Sequence, residues 1–220
     1  MEFRIITGLA QIIEFVFAPP AIAIAIGAYL NLSFPQIPIL PAAIGAYLLF
    51  TALNIFGVKI AATFELFITI LAVAELLLFF GVTIPHFSSE KLTLNASTNG
   101  LEGIFAAIPF AIWFFLGIEG VANVAEETIN PQKDITKGFG SAILTLVILC
   151  IMVFVATIGV GGWEKVVYKA DGSLSDSPLP MAMGMAVTTD SMMYHLLIGV
   201  GLFGLIASFH GLILAGGRAT

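Results

Sequence analysis

Six long apolar stretches constrain what this chain can fold into more than any other feature. They run at about 5–30, 38–58, 60–84, 104–128, 138–161 and 193–217. A helix needs roughly 20 mainly apolar residues to span a membrane, and a bilayer core admits only segments that satisfy their own backbone hydrogen bonds. Only 10% of the residues are charged, against about 25% in ordinary soluble domains. The sequence therefore predicts an all-α, polytopic membrane protein, with one transmembrane domain over 1–220.

The basic residues predict how the chain is oriented. One set lies in short connections: Arg4, Lys59, Lys133, Lys137 and Arg218. The other set is diluted in long loops that also hold most of the acidic residues: Lys91, Lys165 and Lys169. Because cytoplasmic loops carry the excess of lysine and arginine, we expect an inner-membrane protein whose chain starts in the cytoplasm. The net charge of -6, without a basic cluster, argues against nucleic acid as a partner.

The fourth apolar stretch is interrupted by a carboxylate between two glycines, in the sequence Gly117-Ile118-Glu119-Gly120. A charge at membrane depth costs from about 3 to above 10 kcal/mol, so it is tolerated beside a cavity, a partner or a functional site. The flanking glycines suggest that the helix unwinds here, and freed backbone groups at such breaks face the substrate in secondary transporters. Trp113, about one turn earlier, could stack on an ammonium group. The structural alternatives are helix packing for Trp113 and a carboxylate joining two helices for Glu119.

Two strings around this interruption resemble a known family. W-F-F-x-G-x-E, followed by A-E-E-x-x-N-P, is similar to the sixth transmembrane helix of the amino acid-polyamine-organocation permeases. The resemblance implies that Trp113 lines the substrate pocket and that Gly117, Ile118 and Glu119 form the unwound joint. It also implies that Glu126 lies toward the inner gate.

Other acidic residues in the spans are candidates for gating or ion coupling. Glu14 precedes two prolines in the first span and either attracts a cation beside a kinked helix or lies near the inner interface. Many proton-coupled members of the resembling family carry a lysine at the position that aligns with Ala72. This chain departs from that pattern, so it lacks the lysine. Glu75, on roughly the same helix face, could titrate instead or be a structural hydrogen-bonded acid. Glu65 is interpreted as lying near the cytoplasmic interface.

The last span, S-F-H-G-x-I-L-A-G-G-R, resembles the family's eighth helix, which lines an ion or proton site. Ser208 could contribute a hydroxyl there. His210 could titrate or bind substrate, or be a packed, hydrogen-bonded residue. Against the family, the six spans match the third to eighth helices of a five-plus-five inverted repeat. We therefore expect this chain to be a fragment that does not transport alone.

The resemblance is strongest to ethanolamine permeases, through EFVFAPPAIAIAIGAYL, IWFFLGIEGVANVAEE and the long loop near Lys165. It implies a secondary active transporter that imports a small amine, which by this comparison is ethanolamine, or an amino acid. Alternating access would be coupled to protons or sodium. No cofactor, catalytic residue or metal site is expected, because no H-E-x-x-H type motif occurs. The alternatives are a general amino acid permease, which would hold a substrate carboxylate at helix N-termini, and a non-transporting permease remnant or sensor.

The predicted orientation can be tested with single cysteines in the full-length gene product after Cys150→Ala. A membrane-impermeant maleimide applied to intact cells should label Thr93→Cys in the outer loop. It should label Thr136→Cys only after the cells are permeabilised. The opposite labelling pattern would invert the topology.

Overall fold

The computed structural model describes residues 2–55, 58–96, 99–118 and 128–219. These residues form nine α-helices: α1 (Glu2–Ser33), α2 (Ile39–Ile55), α3 (Val58–Thr83), α4 (Ser89–Thr93), α5 (Gly100–Ile112), α6 (Pro131–Gly161), α7 (Trp163–Val167), α8 (Pro178–Ala186) and α9 (Met192–Ala219). Two 3₁₀ turns follow α3 and α5, at Ile84–His86 and Trp113–Phe115. Within the described ranges there is no β-strand, only one bridge between Tyr168 and Leu174. The predicted all-α class is confirmed.

Four segments are long and apolar enough to cross a membrane: Gly8–Ser33, Thr63–His86, Pro131–Gly161 and Met192–Gly217. Two further apolar helices, Ile39–Ile55 and Gly100–Phe115, are shorter. Each of the six apolar stretches in the sequence overlaps one of these segments. The chain is therefore a multi-pass membrane protein.

Helix α6 begins at Pro131, earlier than the predicted span at 138. Proline suits the first turn of a helix, because its missing N–H would have no partner there and its φ is already helical. The carbonyl of Asn130 accepts hydrogen bonds from the N–H groups of Lys133 and Asp134, at 3.1 and 2.9 Å. The polar residues that precede the apolar run thus form the first turns of the same helix.

The chain divides into two compact units, which are described separately. Unit 1 comprises Met1–Ala72, Leu116–Ile143 and Leu202–Thr220; unit 2 comprises Val73–Phe115 and Leu144–Gly201. Helices α3, α6 and α9 each contribute residues to both units. The interrupted span is divided between the units just before Gly117.

The core of unit 1 is built by α1, α2 and α9. Its buried members are Ala23, Ile26, Ala43, Phe50 and Phe209. The ring of Phe209 packs edge-on against Tyr47 and Phe50, with centroids 5.2 and 5.9 Å apart, and such pairs contribute about 0.5–1.5 kcal/mol beyond burial. The turn between α1 and α2 is fixed by Asn31, whose amide donates to the carbonyl of Ile37 at 2.9 Å. These contacts hold α9 against the first helical hairpin.

Unit 2 has its own core, formed by Phe79, Ala156, Val166, Ala182, Met183 and Leu197. Lys91 Nζ donates to the carbonyl of Val160, near the C-terminus of α6, at 2.5 Å. Cations stabilise helix C-termini because unpaired carbonyls give that end a partial negative charge. This contact ties the loop after α3 to the end of α6.

The approach of α1 to α2 gives a stability prediction. A Cβ at Gly27 would overlap the carbonyl oxygen of Ile39, a backbone atom. Gly27→Ala should therefore force the helices apart and cost about 1–3 kcal/mol, the usual cost of overpacking. The readout is the melting temperature of the purified full-length protein in detergent.

Gly45→Ala on α2 is the matched control, because a Cβ there meets no atom within 4 Å. It should melt at or slightly above the wild-type temperature, since alanine favours helix over glycine by up to about 1 kcal/mol. Equal melting of the two variants would contradict the close approach.

Candidate functional site

The predicted interruption of the fourth span is present. Helix α5 ends at Ile112, a 3₁₀ turn covers Trp113–Phe115, and a turn follows at 116–118. Gly117 has φ +80°, in the left-handed region that costs other L-residues about 1–2 kcal/mol. A Cβ at Gly117 would also lie 3.0 Å from Leu212 Cδ2. The backbone conformation therefore favours glycine here, and a larger residue would also have to push the Leu212 side chain aside.

The break places a backbone donor against an acidic side chain of α1. The N–H of Gly117 donates a hydrogen bond to Glu14 Oε1, with 2.5 Å between nitrogen and oxygen. Hydrogen bonds to an ionised group are roughly twice as strong as neutral ones, and the donor is free only because the helix has stopped. The structure thus brings together Glu14 and Gly117, two residues singled out by the sequence.

A cavity of about 310 Å³ lies beside this contact in unit 1. It is lined by Glu65, Thr69, Leu116, Gly117, Ala207, Ser208, Gly211 and Leu212. Its volume is at the lower end of the range for small-molecule sites. The lining offers one carboxylate and two hydroxyl groups, on Thr69 and Ser208. These groups can accept hydrogen bonds from an ammonium group. The two hydroxyls can also donate hydrogen bonds to a small polar solute.

The same cavity wall contains a pair that was not predicted. Glu65 Oε2 lies 2.9 Å from Nδ1 of His210, whose side chain is fully buried while that of Glu65 is 27% exposed. The rings of Phe64 and Phe50 stand edge-on to the imidazole, with centroids 5.1 and 6.2 Å away. Nε2 of His210 is buried and has no hydrogen-bond partner among the described residues. Glu65, whose carboxylate lines the cavity, is therefore paired with His210, which is buried and does not line the cavity.

The interpretation of Glu65 as an interfacial residue missed this pairing. The available signal was depth. Glu65 lies about two turns from the N-terminal end of α3, and His210 lies about two turns before Arg218 at the end of α9. Two titratable residues at one depth in different spans can meet, but only the tertiary packing shows that they do.

The remaining predicted site residues are distributed differently. Ser208 lines the cavity, and Ile118 is half-buried in the turn beside Gly117. Trp113, 52% exposed, and Glu75, 4% exposed, both belong to unit 2. Their roles stay predictions. Glu119 and Glu126 lie outside the described residues.

Unit 2 contains a larger cavity, of about 590 Å³. It is lined by Trp163, Glu164, Lys165, Tyr168, Lys169, Ala170, Met181 and Met185. In the adjoining turn, Asp171 accepts hydrogen bonds from the hydroxyl and the N–H of Ser173, at 2.6 and 2.9 Å, and these bonds lower the pKa of Asp171. The long loop near Lys165 is thus an ordered structure with a recess of its own.

Comparison with known proteins identifies the family. The profile described as Amino acid permease matches residues 2–219. The chain belongs to the amino acid permease family. This confirms the resemblance to amino acid-polyamine-organocation permeases, whose members are transporters and not enzymes.

Three relatives show the spread within this permease family. An uncharacterized transporter of Rhizobium meliloti (strain 1021) is 31% identical over 173 residues, covering 76% of this chain and 35% of that protein. The D-serine/D-alanine/glycine transporter of Escherichia coli (strain K12) is 25% identical over 177 residues, covering 74% and 35%. The methylthioribose transporter of Bacillus subtilis (strain 168) is 31% identical over 126 residues, covering 57% and 27%. The permease chain thus spans about a third of the length of these curated relatives. No solved structure matches it.

The geometry at the break predicts the effect of Gly117→Ala. The added Cβ keeps a strained positive φ and presses on Leu212, so the full-length permease should melt several degrees lower. Adding Leu212→Ala should relieve only the contact between the new Cβ and Leu212. The strained φ would remain, so the melting temperature of the double variant should not recover by more than the cost of that contact.

Gly140→Ala in α6 is the matched control, because its Cβ meets nothing within 4 Å. The measurement is thermal melting in detergent. If Gly117→Ala and Gly140→Ala melt at the same temperature, the left-handed turn at Gly117 is wrong.

Proposed function

We propose that the full-length protein is a secondary active permease that imports a small solute carrying an ammonium group across the inner membrane. Ethanolamine is the first candidate substrate and an amino acid the second. Family membership and the apolar helices support transport. The proposal that the substrate is an amine rests on the contact between the Glu14 carboxylate and the Gly117 N–H.

That contact bears on substrate chemistry because of what normally occupies such a donor. In transporters with broken helices, backbone N–H groups at the break face anionic groups of the substrate. Here the Gly117 N–H is already bonded to a carboxylate of the protein itself. A substrate carboxylate would have to displace Glu14 and would be repelled by both Glu14 and Glu65. An amine without a carboxylate meets neither obstacle.

The cavity lining matches the two polar groups of ethanolamine. Its ammonium group is complementary to the carboxylate of Glu65, and its hydroxyl group to the hydroxyls of Thr69 and Ser208. Among the described residues that line the cavity there is no lysine or arginine to neutralise a substrate carboxylate. The lining therefore favours a cation that also donates and accepts hydrogen bonds.

The other residues are assigned roles in this proposal. Trp113 would stack on the ammonium, a contact of roughly 2 kcal/mol when desolvated. Ile118 and Glu119 would complete the unwound joint, with Glu119 adding negative charge. Gating and ion coupling, by protons or sodium, are assigned to Glu14, Glu75, Glu126 and Ser208.

A permease for small amino acids is the second candidate. It is favoured by the printed substrates of the Escherichia coli relative, D-serine, D-alanine and glycine. In that case the substrate carboxylate would replace Glu14 on the Gly117 N–H during binding. The two candidates therefore assign opposite roles to Glu14.

Uptake of radiolabelled ethanolamine by cells expressing the full-length gene, with unlabelled ethanolamine, alanine and arginine as competitors, tests the proposal. We expect competition by ethanolamine alone. Trp113→Ala should raise the half-saturating concentration by up to about thirtyfold, the equivalent of 2 kcal/mol, whereas the neighbouring Phe114→Ala should not. Displacement by alanine would indicate an amino acid permease, and absence of any uptake would favour a non-transporting protein.

Glu14→Gln separates the two transport candidates. It keeps an oxygen that can accept from the Gly117 N–H but removes the charge. Ethanolamine uptake should fall because an attracting carboxylate is lost. Amino acid uptake should be kept or improved, because a competing carboxylate is lost. Expression and melting temperature of the variant are the controls.

A further inference from the structure

We propose that Glu65 and His210 form the proton-coupling site of this permease, with Glu65 exchanging protons with the cavity and His210 holding the pair in a shielded position. The inference rests on the proposed transport function, because a coupling site acts only within a transport cycle. The pair adds to the residues to which gating and ion coupling are assigned above, and the sequence marks His210, but not Glu65, as a residue that could titrate.

The position of Glu65 suits exchange with the cavity. Glu65 lines the cavity with Thr69, Ser208 and Gly211, and Thr69 Oγ1 lies 3.5 Å from Glu65 Oε1. A Cβ at Gly211 would lie only 3.2 Å from the same oxygen, so the glycine leaves room for the carboxylate. One carboxylate oxygen thus faces the cavity side while the other contacts His210 Nδ1 at 2.9 Å.

The position of His210 suits retention of a proton. Its side chain is fully buried, with Phe50 of α2 and Phe64 of α3 edge-on to the ring. Among the described residues that line the cavity, Glu65 is the one acidic or basic group, and Glu14 of α1 is hydrogen-bonded to Gly117, another lining residue. A proton on this pair therefore reaches the cavity through Glu65.

The proton balance of the pair is simple. In the proposed resting form, His210 is neutral and its Nδ1–H donates to the Glu65 carboxylate, so the pair carries a charge of about -1. One proton taken up from the cavity at Glu65 gives a carboxylic acid beside neutral imidazole. The pair then becomes neutral, and no other reactant is needed.

This change of charge couples naturally to an ammonium substrate. With Glu14 on α1 and Glu65 on α3 both ionised, the described part of the site holds two carboxylates. One ammonium and one proton neutralise them together. Uncompensated charge at membrane depth is costly. The site that holds both the ammonium and the proton is neutral, so it can be closed off from water more easily than the empty site. Proton and solute would then move in the same direction.

The test uses the full-length permease in liposomes that enclose a pH-sensitive dye, with Glu65→Gln and His210→Gln as variants. Counterflow of labelled solute at equal pH measures transport without net proton movement. Accumulation under an imposed pH gradient, together with solute-induced proton influx, measures coupling. For one proton per solute, one pH unit supports about tenfold accumulation.

We expect His210→Gln to keep counterflow and to lose gradient-driven accumulation and proton influx. Glu65→Gln also removes the proposed partner of the ammonium group, so it should weaken counterflow and lose coupling. Glu102→Gln and His86→Gln, both exposed residues of unit 2, should behave as wild type. Absence of counterflow in the wild type, with ethanolamine and with alanine, would overturn the proposed function. Wild-type counterflow with undiminished coupling in Glu65→Gln and His210→Gln would overturn this inference alone.

Glu65→Asp covers the case in which the glutamine variants do not fold. It keeps a carboxylate but lengthens the contact to His210. It should retain gradient-driven uptake with a displaced pH profile. A pH profile that superimposes on the wild-type curve would count against the pair as the coupling site.

Discussion

The hydrogen bond from the Gly117 N–H to Glu14 depends on a helix that stops inside an apolar segment, and the rest of the site depends on that bond. A continuous helix would use this N–H for its own ladder and leave Glu14 without it. The left-handed conformation of Gly117, which favours glycine, ends the ladder, and Leu212 of α9 packs close to it. This one interruption makes the Gly117 N–H available to Glu14 and gives the Glu14 carboxylate a hydrogen-bond donor. It also borders a cavity that Ser208 lines. The electrostatics of the cavity then favour cations.

Local chemistry explains why the helices and the break were predictable. Apolar runs near the thickness of a bilayer have few alternatives to helix, and a carboxylate flanked by glycines at mid-span indicates an interruption. The earlier start of α6 at Pro131 was missed because hydropathy reports only the apolar part of a helix, whereas the backbone bonds to the Asn130 carbonyl show that the polar residues form its first turn. Hydropathy patterns thus locate helices better than they locate helix ends.

The pairing of Glu65 with His210 could not be predicted in the same way, because it depends on how α3 and α9 pack. Each residue has an ordinary explanation by itself: an acid near an interface and a histidine among small residues. Gly211 and the two phenylalanines make the pair by leaving space on one side and excluding water on the other. Glu75 illustrates the reverse case. The sequence marked it as deeply buried, and it is buried, but it belongs to unit 2 rather than to the unit that contains the cavity.

The contact at the break joins a side chain to a backbone group, and this asymmetry limits how the site can diversify over evolutionary time. Every residue except proline carries a backbone N–H, and the positive φ retains glycine at position 117. Substitution therefore cannot readily remove the donor. Variation must enter through position 14, where a change of one side chain decides whether the donor is occupied by the protein or left for a solute. Substrate range in such a permease could thus shift by replacements in a helix that is distant in sequence from the break.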